Sequence, residues 1–264
     1  MHLRRLIVAA ILVPLLYLYV TRLPVQYFFY LITVVAALGL YEFYTMFRLN
    51  AVMKYLGIAW GISLMTAFFL SLADMYSLSL VAALFFLGLR LFLKQDPGSS
   101  MQETATVLLG LIYVPGLLTF QLSLGQRSPE WIILLYTSVW AADSAAYYIG
   151  KNIGRHKLYE AISPNKTVEG AAGSLLGGAA GAILIRAVMV RQLSITECAI
   201  LGVAVGATTI IGDLVESMLK RDAGVKDSGS IFPGHGGILD KIDGSTFAGP
   251  VFFWVCLALG VVQK

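Results

Sequence analysis

The chain has 264 residues, 58% hydrophobic and 13% charged, with 19 Lys+Arg against 15 Asp+Glu and a formal net charge of +4. Water-soluble domains carry about 25% charged residues, so this share, with a mean hydropathy of +0.79, leaves too little polar surface to cover a soluble globule. Composition excludes a soluble enzyme, predicts an all-α, polytopic integral membrane protein, and gives no reason to expect a nucleic-acid partner.

A bilayer-crossing helix needs about 20 mainly apolar residues, and about nine such runs follow one another. The first, Leu6–Val20, is short, carries Pro14 and follows Arg4 and Arg5. That pattern resembles a secretory leader, but no small-residue cleavage site follows and the next span begins almost at once, so a retained first helix is expected. The second runs from about Val25 to Phe47, the third over Tyr55–Ala73 and the fourth over Met75–Leu93. The fifth, Ala105–Gly125, contains Pro115 as an expected kink. Trp131–Ile149, Ala171–Val190, Thr196–Leu219 and Thr246–Val262 complete the set.

Lysine and arginine collect on the cytoplasmic side of membrane proteins. With nine spans and a cytoplasmic N-terminus, fourteen of the nineteen fall on that face. A multi-pass protein of the cell (inner) membrane is therefore expected, with its working face in the cytoplasm. Some of these cations serve only to anchor the chain to anionic headgroups. Two expected cytoplasmic segments are long, Gly150–Glu169 and Lys220–Ser245, and hold fourteen of the 34 charged residues. Long charged loops between tightly connected spans are usually functional. The chain accordingly divides into N-terminal spans (1–130) and a C-terminal catalytic region (131–264).

Glu42, Asp143, Asp213 and Glu216 fall within spans, where a carboxylate is costly and faces a cavity, a partner or a pathway. Asp143 and Asp213 each lie six residues before the expected helix end, about 9 Å below the cytoplasmic edge. That shared depth under the charged loops predicts a cavity. Glu216 and Ser217 share the helical face of Asp213. Glu42, near a helix end, reads equally well as the partner of a lysine or arginine.

The last loop is denser still: GDLVESMLKRDAGVKDSGSIFPGHGGILDKIDGS, Gly212–Ser245. Asp213, Asp227, Asp240 and Asp243 offer the hard oxygen ligands that Mg²⁺ selects. Lys220, Arg221, Lys226 and Lys241 suit phosphates, and Gly229, Gly234, Gly236 and Gly237 let the backbone approach a ligand. Together these describe a nucleotide or polyphosphate site, with no P-loop motif. His235 lacks the companion ligands of a zinc centre and reads as a phosphate or backbone contact, or as a general acid–base.

The pattern Ser217, Leu219-Lys220-Arg221, Lys226-Asp227, Pro233, His235-Gly236-Gly237-Ile238, Asp240 and Asp243 resembles the signature of phosphatidate cytidylyltransferases, also called CDP-diacylglycerol synthases. Lys241 departs from it, standing where that family usually has arginine, so a planar bidentate grip is lost. The segments WAADSAAYYIGKNIGRHK and ISPNKTVEG are also similar, and place Asp143, Tyr147, Gly150, Ser163, Pro164, Lys166, Thr167, Glu169 and Gly170 in matching positions. The resemblance covers about Trp140–Asp243 and is only compositional in the N-terminal spans.

The resemblance implies transfer of the cytidylyl group of CTP to phosphatidic acid, giving CDP-diacylglycerol and pyrophosphate. Two polyanions must then meet, so metal ions and cationic side chains carry much of the work. Asp213, Asp240, Asp243 and Asp143 are the expected metal residues, for Mg²⁺ and for a second ion if one binds. Asp240, Asp243, Lys220, Arg221, Lys226 and His235 are the expected catalytic set. Lys166, Ser163, Asn165, Thr167, Ser217, Asp227, Gly236, Gly237 and Lys241 are expected to bind substrate. An ion-coupled transporter using Asp143 and Asp213 and a CTP-dependent lipid kinase are the alternatives.

Gly173, Gly177 and Gly181 are four apart on one face, and Gly202 and Gly206 repeat the spacing; small residues in this rhythm let helices pack closely. Close packing behind the site is expected, and the resemblance is also compatible with a homodimer. Cys198 and Cys256 read as small buried apolar residues, with a disulfide as the alternative.

Overall fold

The computed structural model describes residues 15–94, 96–231 and 236–262. Most of the first expected span and His235 lie outside them; residues 15–22 are helical. Long helices then follow in order: α1 (Val25–Met46), α2 (Ala51–Phe69), α3 (Met75–Leu93), α4 (Ser100–Leu111), α5 (Leu117–Arg127), α6 (Pro129–Ile153), α7 (Val168–Val188), α8 (Ile195–Asp222) and α9 (Leu239–Ala258). Seven stretches among the described residues are long and apolar enough to cross a membrane, α4 and α5 counting as one of 28 residues. Large apolar side chains point outward, among them Phe92 at 85% and Leu84 at 73% exposure. Water would penalise that surface; lipid does not. The chain is a multi-pass membrane protein.

Polar residues set the helix starts. Asn50 accepts from Met53 N, Asp74 from Ser77 N and Thr167 from Gly170 N. Ser194 and Glu197 form a capping box at α8, satisfying backbone donors that the first turn leaves unpaired. The expected kink at Pro115 takes the form of a π-helical turn, Ile112–Gly116, joining α4 to α5. Proline supplies no N–H and collides with the carbonyl four residues back, so the chain widens by one residue there. Pro250 likewise withdraws a donor from α9. One residue before the carbonyl this leaves without its helical donor, Ser245 O accepts from Gln121 Nε2 at 3.0 Å, while Tyr136 donates to Gln121 Oε1 at 2.7 Å.

The C-terminal helices pack at backbone distance. On α7, Gly173, Gly177 and Gly181 lie against α6, where a Cβ at Gly181 would stand 2.8 Å from Ala141 Cβ. On its other side Gly178 meets Gly202 of α8, and Gly206 approaches Leu175. Ser174 Oγ donates to Gly206 O at 3.0 Å. The small-residue faces are thus used inside the protomer. Cys198 and Cys256 are free and buried, which rules out the disulfide.

Two expectations require correction. The helix expected as the ninth span, α9, starts at Leu239 and not at Thr246 and is not among the seven stretches above, and Asp240, Lys241 and Asp243 stand on its first turns instead of in a loop. α6 and α8 run to Ile153 and Asp222, which puts Asp143 and Asp213 about 15 and 14 Å from their helix ends. Their depths still match. The all-α expectation holds, with one small antiparallel hairpin added, β1 (Lys157–Tyr159) and β2 (Ser163–Thr167). It folds because the Glu169 carboxylate collects Arg155 N at 3.0 Å, His156 N at 3.3 Å and His156 Nδ1 at 2.6 Å.

Candidate active site

A cavity of about 720 Å³ opens between α6, α7, α8, α9 and the hairpin. Every side chain lining it comes from the stretch 143–244. α6 contributes Asp143, Tyr147 and Lys151; the hairpin contributes Ser163, Asn165, Lys166 and Thr167; α8 contributes Thr209 and Asp213; α9 contributes Asp240 and Asp243. Residues far apart in sequence meet because the glycine faces of α7 draw α6 and α8 together. Thr167 performs two tasks, lining the cavity and capping α7.

Lys166 Nζ reaches Asp213 Oδ2 at 2.5 Å. β2 therefore delivers a cation to the depth of the membrane carboxylates. Asp213, Glu216 and Asp243 each present an oxygen, and these atoms lie within 4.8 Å of one another. Glu216 Oε1 is buried with no hydrogen-bond partner, while its other oxygen meets Lys220 Nζ at 2.6 Å. An orphaned buried carboxylate oxygen beside two further carboxylates is costly unless a cation completes it. Three carboxylates so placed could hold a metal ion.

Asp240 is placed differently from the expectation of a metal ligand. Its Oδ1 takes Lys220 Nζ at 2.5 Å, and its Oδ2 takes Ser228 N and Oγ at 2.9 Å each and Gly237 N at 2.7 Å. Both oxygens are committed to holding the chain. Lys220 is buried between Asp240 and Glu216, so this signature lysine braces α8 against α9. Glu42 has no lysine or arginine partner among the described residues. It accepts from Ser228 Oγ at 3.0 Å, Ile238 N at 2.9 Å and Leu239 N at 3.0 Å.

Several expected site residues stand apart from the cavity lining. Arg221 donates to Val225 O at 2.9 Å, and Lys226, Asp227 and Lys241 are exposed. Ser217 is buried, 3.4 Å from Asp213 Oδ1. Gly236 has φ +81°, a conformation open to glycine, and Gly237 gives its N–H to Asp240. Glu216 was legible as a carboxylate within a span and as a neighbour of Asp213 at i+3, but was not among the expected site residues. Lys151 and Thr209 carried no signal of their own in the sequence.

Fold and cavity together define a membrane-embedded protein with a polar, carboxylate- and lysine-lined chamber among its C-terminal helices. The chain belongs to the cytidylyltransferase family, whose sequence pattern matches residues 3–259. It is similar to the phosphatidate cytidylyltransferase of Synechocystis sp., 48% identical over 137 residues, covering 50% of this chain and 45% of that protein. The Haemophilus influenzae protein of the same name is 42% identical over 148 residues, covering 53% and 51%. That of Bacillus subtilis is 43% identical over 139, covering 52% and 51%. The chain spans about half the length of these curated relatives.

Proposed function

We propose that the protein transfers the cytidylyl group of CTP to phosphatidic acid, releasing CDP-diacylglycerol and pyrophosphate. The observation that carries this reading is the meeting of Lys166 with Asp143, Asp213 and Asp243 in one cavity between membrane helices. Family membership and the names of the relatives support the choice of substrates. The region 131–264 acts as the catalytic part, and the N-terminal spans, read as completing nine in all, support it. The cavity opens to the cytoplasm of the inner membrane, as the lysine and arginine bias favours. A homodimer would have to use surfaces other than the glycine faces.

An oxygen of the lipid phosphate attacks the α-phosphorus of CTP; the new P–O bond forms as the bond to the β-phosphate oxygen breaks, and the electron pair leaves with pyrophosphate. The nucleophile is already anionic, so the chain's tasks are alignment and charge neutralisation. Lys166 lies where a phosphate can exchange for its Asp213 contact. Ser163, Asn165 and Thr167 offer hydrogen bonds from the hairpin, and Lys151 offers a second cation at the cavity wall. Asp213, Glu216 and Asp243 would hold Mg²⁺, with Asp143 facing the same space. When bound, the ion neutralises charge on the phosphates. Lys220 and Asp240 keep α8 and α9 in register.

The test is to incubate the detergent-purified protein with CTP, Mg²⁺ and phosphatidic acid and to measure pyrophosphate and CDP-diacylglycerol together, with Asp243→Asn as control. Equal amounts of both products, lost in the variant, support the proposal. CDP and a phosphorylated lipid would identify a lipid kinase instead. Substrate flux into vesicles without CTP turnover would identify a transporter.

A further inference from the structure

Glu42 belongs to α1, far in sequence from the C-terminal residues that line the cavity, although the family pattern extends over both, and it is 3% exposed. Its carboxylate takes two backbone donors, Ile238 N and Leu239 N, at the point where α9 begins. Ile238, at the N-cap of that helix, makes no side-chain cap, so Glu42 supplies from another span what the local sequence omits. The Ser228 hydroxyl stands between Glu42 Oε2 at 3.0 Å and Asp240 Oδ2 at 2.9 Å and gives its single proton to either. Space around the carboxylate is tightly drawn: a Cβ at Gly229 or Gly237 would fall on it.

We propose that Glu42 is a positioning residue for the cavity, clamping the start of α9 so that Asp243 stands beside Asp213 and Glu216. Asp243 lies four residues beyond Leu239, about 6 Å along the helix, so a tilt of the first turn passes directly to it. Breaking the clamp strands two N–H groups, one part-buried and one buried, which recover partners only if the helix start moves toward water. Groups behind a metal ligand typically change metal affinity about 10–100-fold when removed. The inference rests on the metal reading of this cavity given above.

The test compares wild type, Glu42→Gln, Ser228→Ala and Ser194→Ala in the full-length purified protein. Mn²⁺ binding is followed by the electron paramagnetic resonance of the free ion, and the Mg²⁺ dependence of pyrophosphate release is measured alongside. Glu42→Gln should weaken Mn²⁺ binding and raise the half-saturating Mg²⁺ concentration by about 10-fold or more. Ser228→Ala should do so by about 3-fold. Ser194→Ala removes a helix cap at α8, remote from the clamp, and should lower thermal stability while leaving Mn²⁺ affinity unchanged.

A folded Glu42→Gln protein with wild-type Mn²⁺ affinity and Mg²⁺ requirement overturns the inference. If that variant does not fold, unchanged affinity in Ser228→Ala overturns it instead. A wild-type protein that binds no Mn²⁺ removes the metal reading and this inference together. One that binds Mn²⁺ but releases no pyrophosphate removes the proposed activity, and the Glu42 comparison is then decided by Mn²⁺ alone.

Discussion

Asp240 and Asp243 stand three residues apart on one helix, yet the structure gives them opposite tasks, and asparagine at each position should separate them. Asp240 takes Lys220 on one oxygen and three donors from Ser228 and Gly237 on the other. Asparagine keeps one acceptor and turns the other into a donor. Whichever way the amide faces, it meets either the ammonium or a cluster of N–H and O–H groups. Removing one partner of a buried ion pair costs about 3–5 kcal/mol. Lys220 keeps Glu216 at 2.6 Å, so the lower end applies, about 3 kcal/mol, or on the order of 5–10 °C in unfolding midpoint. Asp243 forms no ion pair among the described residues and crowds two other carboxylates. Asp243→Asn should therefore leave the midpoint unchanged or raised while turnover falls on the order of 10²-fold. Cys198 and Cys256 are buried thiols, so a thiol-reactive fluorophore reports unfolding in detergent directly, with pyrophosphate release as the second readout. Equal loss of stability in the two variants, or a wild-type midpoint for Asp240→Asn, refutes the division of roles.

The close contact of α7 with α8 predicts that Gly202→Ala costs about 2–3 kcal/mol, since its Cβ would be 2.5 Å from Ala179 Cα. Gly88→Ala, with nothing within 4 Å, should gain about 0.5–1 kcal/mol; thermal scans of both variants check the contrast. Lys166→Gln should lower pyrophosphate release on the order of 10²-fold, with Lys166→Arg recovering part of it in the same assay. At α3, bonds from Ser77 N and Oγ hold the Asp74 carboxyl below its ordinary 3.8. A depressed folded value means that the cap is at full strength above the unfolded value and is lost as pH falls through the folded one. Amide exchange at Ser77, measured against an Asp74→Asn reference, should therefore show protection that disappears only below about pH 4.

Much of the fold was legible because membrane helices satisfy their own backbone and advertise themselves by long apolar runs. Val25, Met75 and the kink at Pro115 fell where the sequence placed them. The start of α9 did not. Asp240, Lys241 and Asp243 look like loop residues in a hydropathy pattern, yet they are helical, and Lys220 and Glu42 meet this helix start from other helices. The depth match of Asp143 and Asp213 also survived, although both helices run beyond their apolar stretches. A helix ends where its caps are, and apolar composition marks only the part that lipid touches.

For the site, the sequence identified the chemistry and tertiary structure assigned the roles. Residue types alone determined that carboxylates, lysines and glycines gather near the C-terminus, because charge in an apolar chain must be kept for use. Spacing also brought Asp213 and Glu216 to one face, since helix geometry is local. Only the folded chain decided that Lys166 reaches Asp213, that Asp240 meets Lys220 while Asp243 lies beside Asp213 and Glu216, and that Glu42, nearly two hundred residues away, accepts the backbone donors at the start of the helix bearing both. Those outcomes depend on which helix packs against which. That is set by the glycine contacts of α7 and by where buried polar atoms find partners, and neither is a property of any one segment.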